Sequence, residues 1–189
     1  MDNKLELETR IQQLEDKNEI TDLVMMYGVI MDERDFTGME RLFTKDANLS
    51  SEDGVFSAHG LDAIKSTYVG RFQVLGATNH VTHGNVVRFD NEDPNQAIGL
   101  VTSHAEVSRE GTALVAAIRY RDKYRRTDRG WQISDREMSF MYYVSIDDFK
   151  EALVQDDRVR VYGDRRPADW PECLKTGTSP LWIKDFLRY

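Results

Sequence analysis

Few side chains in this sequence are able to do acid–base chemistry. There are four histidines, His59, His80, His83 and His104, and a single cysteine, Cys173. An imidazole exchanges a proton near neutral pH without any special environment. Beside these stand Tyr27, inside a nine-residue apolar run from Leu23 to Met31, and Asp32, which follows the run directly. At about 100° per residue that run covers every face of a helix, and a helix apolar all round is expected to be buried. A phenol and a carboxylate held in an interior need partners, and desolvation moves their pKa values. An acid–base site is made that way, and a structural polar pair leaves the same signature.

His80 and His83 share the segment Thr78-Asn79-His80-Val81-Thr82-His83-Gly84. On a strand this spacing sends the two rings to opposite faces unless a bulge near Gly84 intervenes. It is poor geometry for one metal, in contrast to the i, i+4 spacing on a helix. A zinc site from His80, His104 and Asp32 is a minor competing reading, and the expectation is no metal. The sequence carries no phosphate-binding loop, dinucleotide fingerprint or nucleophile elbow. Cys173 has no basic residue beside it in sequence to activate a thiolate.

The elements that must position these residues read as helices first and strands later. Residues 5–33 form one long helix on a stripe of Leu5, Ile11, Leu14, Ile20 and Leu23 that widens into the apolar run. A short helix fits Phe36 to Phe43 with Asp35 as its N-cap. Ala47 to Ser51 and Val55 to Ala58 pair as a hairpin around Glu52-Asp53-Gly54, and Gly60 to Leu75 is a third helix. Four long strands follow: Ala77 to Phe89, Gln96 to Ser108, Thr112 to Arg126 and Gly130 to Val144. In the third, Leu114, Ala116, Ile118, Tyr120 and Tyr124 share one face, and Arg119, Arg121, Lys123 and Arg125 the other. The basic face reads as solvated or interfacial rather than as an anion site. The design is α+β, with helices on one face of a curved antiparallel sheet. Residues 147–156 suit one more helix. Beyond it the tail is irregular, yet Trp170, Leu174, Trp182, Ile183, Phe186 and Leu187 are too apolar for disorder.

At 189 residues, 31% charged and 40% apolar, the chain fits one globular domain. A net charge of −8 argues against a nucleic-acid partner. One cysteine, no signal-peptide core and no run of about 18 apolar residues indicate a cytoplasmic protein with no membrane partner.

The order of these elements resembles the SnoaL-like branch of the NTF2-like superfamily over about residues 7–146. The marks are Ile20-Thr21-Asp22-Leu23 leading to Tyr27, Met31-Asp32-Glu33-Arg34-Asp35-Phe36, Asn79 to Asn85, and Tyr124 with Gly130-Trp131-Gln132-Ile133. The resemblance implies a cone-shaped fold whose curved sheet encloses a pocket behind the first helix. Within it the chain looks most similar to the lyases scytalone dehydratase, bile-acid 7α-dehydratase and hexachlorocyclohexane dehydrochlorinase. Those enzymes share a His–Asp dyad, and Asp32 and His80 fall at its two places. The bile-acid enzyme adds a tyrosine with the spacing of Tyr27. The scytalone enzyme differs, with its tyrosine where this chain has Met31, an asparagine near Tyr120, and a second histidine on the strand that carries His104.

The implied activity is a cofactor-independent, dehydratase-type elimination on a small hydrophobic or aromatic, ring-bearing molecule. His80 is the base, Asp32 its orienting partner and Tyr27 the acid or carbonyl donor. Tyr68, Phe72, Ile118, Tyr120, Trp131 and Met141 are expected to enclose the substrate, and His104 to border it. An isomerase or retro-aldol carbon–carbon lyase uses the same dyad, and a non-catalytic binding or assembly domain is the alternative of another class. Residues 1–146 are the expected domain, and 147–189 an extension over it or over a neighbouring subunit. The resemblance implies a homo-oligomer, a trimer first and a dimer second.

Overall fold

The computed structural model describes residues 2–187, with side chains from residue 6 onward, so the side chain of Leu5 lies outside the described residues. Helix α1 spans Asp2–Asp32. Leu7, Ile11 and Leu14 are exposed, and the buried face begins at Asp16 and Ile20. The apolar run is not buried all round as its composition predicts. Val24, Tyr27, Ile30 and Met31 face the core, while Met25, Met26 and Val29 are about half exposed. The reason is that α1 lies along one side of a sheet, and no described element covers its other side.

The exit of α1 is tightly determined. Arg34 takes a left-handed φ of 56°. Its guanidinium donates to the carbonyls of Leu75 and Gly76, at 2.7 and 2.8 Å. Asp35 then caps helix α2 (Phe36–Leu42) by accepting the Thr37 N–H. Strands β1 (Phe43–Ser51) and β2 (Ser57–His59) form the small hairpin, and helix α3 (Leu61–Phe72) follows. The long strands are β3 (Leu75–Phe89), β4 (Gln96–Arg109), β5 (Thr112–Thr127) and β6 (Gly130–Ser145). Glu110 and Gly111, both at positive φ, turn β4 into β5 as a two-residue hairpin requires.

All six strands join in one curved, unclosed sheet of order β2-β1-β6-β5-β4-β3. The fold is α+β as expected, with one departure from a purely antiparallel sheet: β1 runs parallel to β6 and extends the meander at that edge. Bulges interrupt the alternation, and three of them bear on the site and its surroundings. The register shifts leave His83 unpaired between Thr82 and Gly84, Met141 between Phe140 and Tyr142, and Ser134 between Ile133 and Asp135.

The inner face of the sheet packs on α1 and α3 around fully buried Ile20, Ile64, Val101 and Ile133. Across the outer face run α4 (Ile146–Ala152), α5 (Cys173–Thr176) and a 3-10 turn at Leu181–Phe186. Helix α4 stops at Ala152, short of residue 156, and leaves Leu153 and Val154 exposed. Val159 bridges to Tyr143 and is buried in the main core. Three of the four basic residues on the basic face of β5 are paired within the chain: Arg119 with Glu172, Arg121 with Glu137 and Arg125 with Asp46. Arg119 also lies over the rings of Trp170 and Trp182. No helix among the described residues is long and apolar enough to cross a membrane.

Candidate active site

The clamp from Arg34 sets the end of α1 against the start of β3, and Asp32 and His80 meet there. His80 Nδ1 lies 2.6 Å from Asp32 Oδ1. The His80 backbone N–H donates to Oδ2 at 2.8 Å, and the Thr78 hydroxyl donates to Oδ1 at 2.7 Å. Burial raises the Asp32 carboxyl, but the His80 ring, its backbone N–H and Thr78 together outweigh that and hold it below its ordinary value. An ionised carboxylate only accepts hydrogen bonds, so Nδ1 carries a proton, and in the neutral imidazole Nε2 is the bare nitrogen. The carboxylate and the ring are both mostly covered, with side chains 18% and 19% exposed.

Close approach of helix and strand depends on Gly28. A Cβ at that position would sit 3.1 Å from His80 Cβ and 3.3 Å from its carbonyl oxygen. The glycine inside the apolar run is therefore part of what brings His80 to the helix end. One turn before Asp32, Tyr27 is buried and presents its ring edge-on to His80, with centroids 6.4 Å apart. Its hydroxyl is 2.6 Å from that of Tyr68. Burial, reinforced by Tyr27, raises the Tyr68 phenol well above its ordinary value, so that it stays protonated.

These groups open on a cavity of about 60 Å³ lined by His80, Tyr27, Tyr68, Phe72, Ile118 and Tyr120 among others. An apolar cavity of about 150 Å³ accepts benzene, so the lining must give way for a six-membered ring. Three residues expected here lie elsewhere. Trp131 is buried against Phe89 at the far end of β6. It stands seven residues from Met138, roughly 23 Å along a strand. The bulge at Met141 turns that side chain out onto the cluster of Ala117, Tyr142, Val144 and Ala152, and leaves Met138, Phe140 and Tyr143 to line the cavity. His104 alternates with the inward Ala105 and faces outward, where its Nδ1 is 2.5 Å from Nε2 of the bulged His83. His80, His104 and Asp32 are therefore not brought together as a metal site.

Beneath the two tyrosines lies a pair that sequence reading missed. Arg136 Nε and Nη2 donate to Asp122 at 2.8 and 2.6 Å, with both side chains fully buried. The guanidinium carbon lies 4.1 Å from the Tyr27 ring centre and 4.4 Å from that of Tyr120. Burial opposes the Arg136 charge, but Asp122 outweighs it and holds the group firmly protonated. One signal was present. The alternation that turns Tyr120 and Tyr124 inward also turns Asp122 inward, and a buried carboxylate requires a cation.

The family model of the SnoaL-like domain matches residues 12–137. Among solved structures, the chain is similar to a hexachlorocyclohexane dehydrochlorinase (LinA-type3) from Novosphingobium barchaimii, with a TM-score of 0.63 and 15% identity over 72% of this chain and 94% of that one. A scytalone dehydratase candidate from Novosphingobium aromaticivorans gives 0.59 and 20%, covering 76% of this chain and 91% of that one. An NTF2-like protein with a cystatin-like fold from the same organism gives 0.59 and 26%, over 75% and 92%. No curated protein sequence matches the chain.

Proposed function

The chain belongs to the SnoaL-like domain family, and on that premise we propose that it is a cofactor-independent lyase acting by dehydratase-type elimination on a small hydrophobic, ring-bearing carbonyl compound. The observation that carries this reading is the Asp32–His80 contact at the cavity wall, which leaves Nε2 of His80 as a base. In the reaction, Nε2 removes the proton next to the carbonyl, and the C–H electron pair becomes the new double bond. The β-substituent departs with its bonding electrons and takes a proton from Tyr27. Asp32 holds the ring in one tautomer and stabilises the imidazolium that forms. Tyr68, hydrogen-bonded to Tyr27, directs the Tyr27 proton toward the cavity and lets the phenolate that remains accept a hydrogen bond. The apolar lining excludes water from the developing charge.

A panel of cyclic β-hydroxy and β-halo ketones tests this reading. Turnover should release water or halide, and the product mass separates elimination from isomerisation. His80→Ala should remove turnover, and Tyr27→Phe should lower it by about 10²–10³-fold. Full turnover in both variants would show that the chemistry lies elsewhere.

A further inference from the structure

The charge inside the cavity is unbalanced. Among the described residues, Arg71, in the last turn of α3, is the one Lys, Arg, Asp or Glu side chain in the cavity lining. Asp32 stands behind His80 and is absent from that lining. Arg71 is half-buried, and its guanidinium carbon lies 4.0 Å from the centre of the Phe56 ring, which also lines the cavity. Among the described residues no carboxylate stands within ion-pair distance of it. Five other covered arginines, Arg119, Arg121, Arg126, Arg136 and Arg160, each hold an acidic partner, and Arg158 and Arg88 donate to backbone carbonyls instead. The sequence has 33 acidic residues against 25 basic ones, so a shortage of carboxylates does not explain why Arg71 lacks one.

We infer that Arg71 is a specificity-determining residue and that the substrate is a carboxylic acid whose carboxylate it binds. This rests on the cavity being the substrate site, as proposed above, and adds the chemical class of the molecule. A guanidinium presents a planar fork of donors that matches a carboxylate. An apolar wall raises the value of that contact by excluding water. The ring fills the apolar interior beside Ile118 and Phe140, and the carboxylate faces α3 at Arg71. The stack on Phe56 holds the guanidinium in place before the ligand arrives.

Binding tests this without any turnover. Benzoate, cinnamate, 2-naphthoate and cyclohexanecarboxylate are compared with their primary amides at neutral pH, by thermal shift and calorimetric titration on the full chain. At least one acid should bind the wild type more tightly than its amide, by about tenfold or more, as a charge-assisted hydrogen bond gives. Arg71→Leu should abolish that gap and leave amide binding in place. Arg71→Lys, which keeps the charge without the fork, should retain part of the gap and guards against a folding failure of the leucine variant. His80→Ala should leave the gap intact. Acids matching their amides throughout the series, or a gap that survives Arg71→Leu, would overturn the assignment. The acid–amide gap does not depend on the dyad, so its loss leaves the lyase reading standing, and turnover surviving His80→Ala leaves the gap standing.

Discussion

Two histidine pairs, three residues apart on one strand, face opposite sides of the same sheet. On the inner face His80 meets a carboxylate that accepts three hydrogen bonds and stays ionised. On the outer face His83 meets another imidazole, His104, beside Tyr142. The residue type and the close contact are the same, but the partner differs. A carboxylate fixes the tautomer and favours a proton arriving at Nε2. A second imidazole competes for the proton, and partial burial with His83 alongside pushes His104 below its ordinary value. The environment opposite the ring therefore decides which pair can serve as a base.

The largest expected difference between the pairs is in turnover. Asp32→Asn should lower kcat by about 10²–10⁴-fold while the fold survives, because the tautomer is no longer imposed. His83→Gln and His104→Gln should stay within about twofold, as surface substitutions away from a site do. Loss of activity in an outer variant equal to that in Asp32→Asn would erase the distinction. A smaller effect should follow from Gly28→Ala. The added methyl must displace His80 by a few tenths of an ångström. As a 1 Å misplacement can cost about 10²-fold, turnover should fall about three- to tenfold. Thermal stability should change little, since alanine is better than glycine inside a helix by about 1 kcal/mol.

The smallest effect concerns pH. A histidine whose folded pKa is depressed binds its proton more tightly in the unfolded chain. Its contribution to stability is present above the ordinary value of 6.5 and is lost as pH falls through the lowered one. Lowering the pH from 7 to 5 in melting experiments should thus cost the wild type stability that His104→Gln does not lose. Asp32 behaves at a lower range. Its contribution is present above 3.8 and disappears as pH falls through the depressed value, so the stability gap to Asp32→Asn should close in strong acid.

Much of the fold was legible because its signals are local. Turn residues separated the four long strands, Asp35 capped α2, and the alternation on β5 placed Ile118 and Tyr120 on the inner face. Bulges were less visible. They reset the parity at Ser134 and Met141, and so moved Met141 out and brought Arg136 opposite Asp122. Depth along a strand was invisible as well, which is why Trp131, although it faces inward, lies beyond the cavity. The apolar run of α1 gave the buried Tyr27 correctly but not the exposed Met25, Met26 and Val29, because composition does not say how many neighbours a helix has. The meeting of Asp32 and His80 came through resemblance. Its physical basis, the Arg34 clamp and the space at Gly28, is a matter of long-range contacts that spacing alone does not encode.

The central claim is that Asp32 holds His80 with its proton on Nδ1 and Nε2 bare. Long-range proton–nitrogen correlation NMR on uniformly labelled protein at pH 8 reads this directly, with His80→Gln identifying the signal. The expected result is a protonated Nδ1 and a bare, pyridine-like Nε2, with the preference lost in Asp32→Asn. A His80 ring carrying its proton on Nε2, or unchanged by Asp32→Asn, would contradict the account.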